Sequence, residues 1–532
     1  MITKQPTGSP QLFSTTLSGV CTLDPNEHHF RTDHLLANLR SHTISSGFVT
    51  MSAQAARFLL NLAYTMIMAR LLAPPEFGVV AMVTAVTVLI GTVADAGLFT
   101  ATLQRQHITH AQVSNLFWVN VATSGLLALI LAALAPALAA FYHEPRVEGI
   151  ALVLSLSFPL TGCAAQHFAL LSRQMRFKAK ARIEVISLGV GCCAGLGMAL
   201  LQFRYWSLVG ATLATAAVGC LLAWLASGWR PQLPRKRSGT ASLIGFGANL
   251  SVGQLIYSIA RSSDILLIGR FFGSGATGLY SRASILLMRP LEQFLRPIDA
   301  VFEPTLSRLQ SEPARYRRTF LQVYCAIALI SFLFTGIFLA LPHPLILVTL
   351  GPKWEKADAI FAGFTLVALF FPLAKPSEWL FTSQGRGRDS LVACVAQAVV
   401  SVLSFLVGLP FGPAGIAISF SVACLVIQLP ILNYLAGRRG PVSTSDLWIT
   451  FFSHLPLWIV VFAVTRLTYS LIPHVAPIVQ VVIPGFAGAV VGVGFIWTYA
   501  PTRRTALSLL DVLRELKSLR AKAAETSCRI PT

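Results

Sequence analysis

Charge is scarce in this chain of 532 residues: Asp, Glu, Lys and Arg together make up 12% of it. Soluble globular proteins carry about 25%. With 55% of residues hydrophobic, the composition excludes an ordinary water-soluble fold. Acid is scarcer still, with 21 Asp and Glu against 41 Lys and Arg, a formal net charge of +20. Such an excess can mark a nucleic-acid binder, but here the basic residues sit at the ends of apolar segments, as the positive-inside rule describes. No nucleic-acid partner is expected. The nine cysteines show no CxxC spacing and no histidine clustered with them, which argues against a metal site or a disulfide framework. Seven of them (Cys163, Cys192, Cys193, Cys220, Cys325, Cys394 and Cys424) lie in apolar segments, as small buried residues do. No Gly-rich loop that could cradle phosphates occurs, so no nucleotide cofactor is expected, and an ATP-driven machine would need another subunit. Residues 1–46 lack the basic-then-apolar layout of a signal peptide. They form a polar tail without periodicity, expected to be disordered, with Met51 as an alternative start.

What is present is apolar sequence. Fourteen segments of spanning length run near 47–72, 77–103, 111–140, 147–172, 183–203, 205–228, 242–269, 278–307, 319–342, 357–384, 389–409, 412–437, 447–471 and 476–499. The fold class is an all-α integral membrane protein with about 14 transmembrane helices. Loops after even-numbered segments are basic, holding Arg173, Arg176, Lys178, Lys180 and Arg182, then Arg230, Arg235, Lys236 and Arg237, then Arg308, Arg315, Arg317 and Arg318. Loops after odd-numbered segments hold at most two, such as Lys353 and Lys356. Both termini are therefore expected in the cytoplasm. Beyond residue 503, Leu507, Leu510, Leu513, Leu516 and Leu519 stand against Arg514, Lys517 and Arg520, a basic amphipathic helix suited to anionic membrane lipids.

One apolar stretch, 278–308, carries Arg282, Arg289, Arg296 and Glu303 at seven-residue spacing, with Glu292 and Asp299 interleaved. Two helical turns drift by only ~20°, so these groups share one face. From Arg282 to Glu303 a helix rises roughly 32 Å, about the thickness of the hydrocarbon core. A charge facing lipid there costs about 2.5–3.5 kcal/mol, so the stripe must face protein or water. Pro290, Pro297 and Pro304 each follow a stripe residue and free backbone carbonyls beside it. Two readings stand: a water-filled lumen, or self-neutralisation, with Glu292–Arg296 as a favourable i,i+4 pair.

The chain also repeats itself. Ala69-Arg-Leu-Leu-Ala-Pro-Pro-Glu-Phe-Gly78 returns as Gly269-Arg-Phe-Phe-Gly-Ser-Gly-Ala-Thr-Gly278, and Gln54 matches Gln254 at the same offset. Phe99, Thr102, Leu103 and Arg105 recur as Phe302, Thr305, Leu306 and Arg308. An offset of six segments predicts two parallel six-helix bundles with a site between them. The expected divisions are the tail 1–46, a bundle over 47–229, a basic linker over 230–241, a second bundle over 242–439, two further helices over 440–500 and a basic tail over 501–532.

On these motifs the chain resembles the oligosaccharide flippases (Wzx-type polysaccharide exporters) of the multidrug/oligosaccharidyl-lipid/polysaccharide exporter superfamily. The carrying residues are Ala69-Arg70-Leu71-Leu72 with Pro75-Glu76-Phe77-Gly78, and Asp95-Ala96-Gly97. Tyr205-Trp206-Ser207-Leu208-Val209, Leu350-Gly351-Pro352-Lys353-Trp354 and Gln384-Gly385-Arg386 also fit. The likeness covers roughly residues 47–440. It implies moving an undecaprenyl-pyrophosphate-linked oligosaccharide from the inner to the outer leaflet of a bacterial inner membrane, by alternating access between the bundles. A polysaccharide polymerase and a chain-length regulator are the implied partners. A lipid II flippase or a multidrug exporter of the same superfamily is the nearest alternative. A membrane glycosyltransferase or polymerase is the alternative from another class, but the largest outer loop, 343–356, offers only Glu355 and His343 for catalysis.

A diphosphate suits guanidinium groups, which stay charged and bind phosphate bidentately. The substrate-binding candidates are Arg289, Arg296, Arg57, Arg261 and Lys375. Arg57 shares a polar face with Gln54, Asn61 and Tyr64 and could instead brace neighbouring helices; Arg261 with Asp264, and Lys375 with Glu378, could be closed i,i+3 pairs. Arg282, nearest the outer end, is expected to snorkel. Arg70, Arg270 and Asp95 are expected to be structural. For ion coupling the candidates are Asp299, Glu303, Asp264 and Glu378. Asp299 and Glu303 are like charges at i,i+4, a spacing at which two carboxylates in a low-dielectric site come to share a proton.

Overall fold

The computed structural model describes residues 39–94, 102, 108–234, 241–473 and 475–508. The stretch 1–38, the Asp95-Ala96-Gly97 motif with Phe99, Leu103 and Arg105, the basic 235–240 loop and the amphipathic segment beyond 508 lie outside the described residues, as does the side chain of Gln254. Among the described residues every regular element is helical. The first half holds α1 (Leu39–Leu71), α2 (Pro74–Ala94), α3 (His110–Tyr142), α4 (Arg146–Ser155), α5 (Ser157–Arg173), α6 (Phe177–Leu200) and α7 (Trp206–Ser227). The second holds α8 (Ala241–Arg308), α9 (Pro313–Ala340), α10 (Pro342–Thr349), a 3₁₀ segment (Pro352–Ala357), α11 (Asp358–Thr365), α12 (Val367–Ser383), α13 (Gly387–Gly408), α14 (Gly412–Ala423) and α15 (Leu429–Gly437). Finally α16 (Thr444–Ser470) and α17 (Pro477–Thr498) pack together, with α16 lying along α9.

As far as the described residues go, each expected apolar segment lies on these helices; most of 95–103, the end of the second segment, lies outside them. Nine helices among the described residues are long and apolar enough to cross a membrane, or ten if Pro352–Thr365 and Val367–Ser383, bent by 42°, form one span. The expected fourteen is larger for three reasons. α1 and the stretch 278–308 of α8 are too polar and charged to count, and the side chains of 241–257, in the first arm of α8, lie outside the described residues. Gly387–Gly437 counts once although it holds both expected segments: the chain turns at Gly412 (φ 77°), and the Ser419 hydroxyl donates back to the Ser404 carbonyl (2.7 Å) and Gln428 Nε2 to the Gln397 carbonyl (3.3 Å). Local chemistry sets the helix ends. Thr109 and Gln112 form a reciprocal capping box at the start of α3, and Ser443 and Asp446 do the same for α16. The long α8 is two helices broken at Gly273, whose φ of 75° and ψ of −174° only glycine adopts freely.

The internal repeat is visible in the backbone. α5 and α12 end alike: Arg176 N–H donates to the Leu171 carbonyl (2.9 Å) and Arg386 N–H to the Phe381 carbonyl (2.8 Å). Each closes a Schellman turn through a residue of positive φ, Met175 at 53° and Gly385 at 68°. Arg386 then donates to the Leu435, Ala436 and Arg439 carbonyls, covering the end of α15.

The halves meet at one end, and the repeated motifs are what meet. Gly78 and Gly278, equivalent positions of the repeat, lie against each other. A Cβ on Gly78 would sit 1.7 Å from the Ser274 carbonyl oxygen, and one on Gly278 would sit 1.9 Å from that of Pro74. Only small residues allow helices this close. Next to them the Trp354 indole N–H donates to the Ala69 carbonyl (2.8 Å), Lys353 Nζ to the Arg70 carbonyl (3.1 Å) and Arg70 Nη2 to the Val348 carbonyl (3.1 Å). Trp354 is 0% exposed. Met68, Ala69, Leu72 and Phe77 of the first half belong to the second half's main core, so apolar packing is continuous across the junction here. Glu144 completes this end: it accepts from Arg146 (2.8 and 2.7 Å) and from the Ser274 hydroxyl (3.3 Å). The Arg146 guanidinium holds its carboxyl below the usual carboxylate range.

Candidate functional site

Away from this closed end the halves part around a cavity of 760 Å³. α1, α2, α6 and α7 wall it on one side with Asn61, Tyr64, Thr84 and Thr215; α8, α12 and α13 wall it on the other. Arg261, Arg282, Arg289 and Lys375 line it, against the carboxylates Asp264 and Glu378. The cavity is therefore net cationic and built by both halves.

Each predicted residue has a definite place. Arg261, on the first arm of α8, donates to Glu292 on the second arm (2.8 Å), and Arg289 approaches the other oxygen of Glu292 at 4.0 Å. The break at Gly273 folds the two arms side by side and makes this bridge. Lys375 Nζ donates to Glu378 at 2.6 Å on the kinked α12, which holds Pro372 and Pro376. Asp264 also lines the cavity, beside the Tyr280 hydroxyl. Arg57 lies outside the lining and donates to Glu184 of α6 (2.6 Å), within its own half. Arg296, Asp299 and Glu303 line a separate open depression of 540 Å³ with Pro304 and Ser307. There Trp379 Nε1 donates to Asp299 at 2.8 Å.

Two expectations need correction. Glu292 is held by Arg261 and Arg289 rather than by Arg296, because the folded-back arm brings Arg261 closer than the next turn brings Arg296. Arg296 has no ion pair among the described residues. Nor does Arg282 snorkel: α2 covers the end of the helix where it would reach water. Its guanidinium lies over the Phe77 ring, 4.8 Å from the centroid, and lines the cavity. Its Nε is buried with no acceptor, and it has no carboxylate partner among the described residues. Arg282 begins the same heptad as Arg289, so the signal was there; its nearness to the helix end concealed its role. Phe77 and Trp354 stood in motifs and were not singled out.

A family model described as a polysaccharide biosynthesis protein matches residues 67–359, more than half of the chain. The chain belongs to that family. The matched stretch contains the whole stripe, the closed end and Trp354. Among members of the polysaccharide biosynthesis group, the teichuronic acid biosynthesis protein TuaB of Bacillus subtilis is 26% identical over 66% of this chain and 72% of its own length. The lipopolysaccharide biosynthesis protein WzxC of Escherichia coli is 22% identical over 80% of this chain and 88% of its own. Among solved structures, the lipid II flippase MurJ in an inward closed conformation superposes with a TM-score of 0.66 at 11% identity, covering 86% of this chain and all but 1% of its own. An inward-facing multidrug transporter of the MATE family of the MOP superfamily superposes at 0.57 with 14% identity, covering 76% and 99%. At such identities the likeness is one of fold: this is a multi-pass membrane protein with the architecture of MOP transporters.

Proposed function

We propose that this protein is a flippase that carries an oligosaccharide linked to undecaprenyl pyrophosphate from the inner to the outer leaflet of a bacterial inner membrane, supplying O-antigen, capsule or exopolysaccharide synthesis. The observation that carries it is the cationic cavity walled by both halves, in which Arg282 has no carboxylate partner among the described residues. A diphosphate is the group that four such cations suit, and a cavity between two repeats is where alternating access places a substrate. With the basic loops and both termini cytoplasmic, the closed end faces the periplasm and the cavity receives its load from the inner leaflet. Arg261, Arg289, Arg282 and Lys375 then hold the diphosphate, and Arg296 in the inner depression meets it first. Arg57 supports α6 from outside the path. Asp264, Glu378, Asp299 and Glu303 are the groups through which an ion gradient can act. The protein is a transporter rather than an enzyme, and a polymerase working on the outer leaflet consumes what it delivers. A peptidoglycan precursor shares the prenyl diphosphate, so the cavity alone would serve it equally. The sequence likeness to polysaccharide proteins favours the oligosaccharide.

The test is to measure surface glycan and membrane abundance together. Arg282→Ala and Arg289→Ala should each stop export at normal abundance. If the charges only brace one another, Arg261→Ala should instead lower abundance by removing the 2.8 Å partner of Glu292. In that case Glu292→Gln with Arg261→Gln should restore abundance and export alike. Normal export from that double variant would refute the proposal; normal abundance without export supports it.

A further inference from the structure

Phe77 stands between two residues of the opposite half. On one side the Arg282 guanidinium lies over its ring at 4.8 Å. On another the Trp354 indole meets it edge-to-face, with centroids 5.2 Å apart and planes at 74°. Phe77 is 2% exposed and Trp354 0%, so neither contact is shared with solvent. Trp354 is also tied to the first half by its N–H bond to the Ala69 carbonyl. A cation inside the cavity is thus one aromatic ring away from the residue that holds the far end shut.

We propose that Arg282, Phe77 and Trp354 form a relay through which a prenyl diphosphate in the cavity releases the closed end. The relay rests on the transport function proposed above. Arg282 has no acceptor for its buried Nε and no carboxylate partner among the described residues, so an incoming diphosphate is its strongest available ligand. Binding draws the guanidinium off the Phe77 face and puts negative charge near a ring whose face already carries negative potential. Phe77 then loses the contact that fixes it, and the Trp354 edge loses the surface it packs on. Only the conformer closed at this end contains the relay, so weakening it shifts the population toward opening. A substrate without the charged headgroup would fill the cavity without drawing the bolt, which makes release specific to the diphosphate.

The experiment uses the full chain in lipid nanodiscs, with Ala69→Cys as reporter and a bulky membrane-impermeant maleimide; labelling of the chain without Ala69→Cys is subtracted. Farnesyl diphosphate is the probe and farnesol its uncharged control, and calorimetry on the same preparation measures binding. Farnesyl diphosphate should raise the labelling rate about ten-fold, the change that ~1.4 kcal/mol produces, and farnesol should not. Phe77→Leu should keep binding within about two-fold yet lose the rise, because the aliphatic side chain offers no face for the cation. Trp354→Phe, which keeps a ring on Phe77 but loses the bond to Ala69, should label faster without ligand and still respond. Binding without a rise, or a full rise in Phe77→Leu, would overturn the relay and leave the transport function standing. Unchanged basal labelling in Trp354→Phe would also overturn it. Absence of binding to the unaltered cavity would overturn both.

Discussion

Gly78→Ala adds one methyl group at the point where the halves come closest. In the structure its Cβ would lie 1.7 Å from the Ser274 carbonyl oxygen and 2.8 Å from the Gly278 nitrogen, both backbone atoms that no rotamer change can move. Helices α2 and α8 must separate by more than an ångström, and overpacking of this kind costs ~1–3 kcal/mol. Alanine also favours a helix over glycine by ~0.5–1 kcal/mol, but that gain is the same in every conformer and cancels from the equilibrium between them. The conformer closed at this end therefore loses roughly 5- to 150-fold in population against one open there. The protein should still fold and accumulate, because the rest of each half is untouched. Surface glycan should fall, since a carrier that cannot close one end cannot complete its cycle. Labelling of Ala69→Cys should rise in the absence of any ligand. Gly197→Ala is the control: it too replaces a helical glycine, and its Cβ meets nothing within 4 Å. Export and labelling in Gly78→Ala equal to those of Gly197→Ala would refute the role given to this contact.

The other predictions concern charges. Arg57→Ala should lower membrane abundance slightly while export per molecule stays normal, because Arg57 and Glu184 are 41% and 30% exposed and such a pair contributes about 1 kcal/mol or less. Arg57→Gln with Glu184→Gln should restore abundance, and a loss of export at full abundance would return Arg57 to the substrate path. Asp299→Asn and Glu303→Gln, in the inner depression, should each abolish gradient-driven transport but leave farnesyl diphosphate binding intact. Unchanged transport in both would reduce them to neutralisers of the stripe.

Helix positions could be read from apolar runs because each span must satisfy its own backbone within lipid. The heptad in 278–308 placed its charges on one face for the same geometric reason. Partners across helices were not readable. Arg261 reaches Glu292 only because Gly273 folds α8 back on itself, and nothing in the spacing of either residue announces that fold. The repeat was readable as a repeat, but its two glycines gave no hint that they touch each other. That needs the pseudo-symmetric arrangement of two halves, which brings equivalent positions together at the junction. Trp354 was hidden for a similar reason: its partner, the Ala69 carbonyl, is 285 residues away and is a backbone atom that carries no sequence signal.

The pairing of the cavity's cations fits a passage better than a trap. Arg261, Arg289 and Lys375 each have a carboxylate in reach, Glu292 or Glu378. A diphosphate arriving there must compete with these carboxylates, so it is held less tightly than bare guanidinium groups would hold it. Weak and repeated binding is what lets a charged cargo both enter and leave. Arg282 breaks the pattern: it has no carboxylate partner among the described residues, and it lies where the cavity abuts the closed end. The strongest remaining attraction for an anion therefore lies farthest along the path, next to the ring that supports Trp354. Giving Arg282 a carboxylate of its own, by Tyr64→Glu at the α1 residue beside it in the cavity wall, should satisfy it without substrate. The cavity would still fill, and the diphosphate would lose its advantage at the last station. Export should then fall while binding by calorimetry changes by less than about ten-fold. A variant that exports normally would show that the unpaired charge is dispensable.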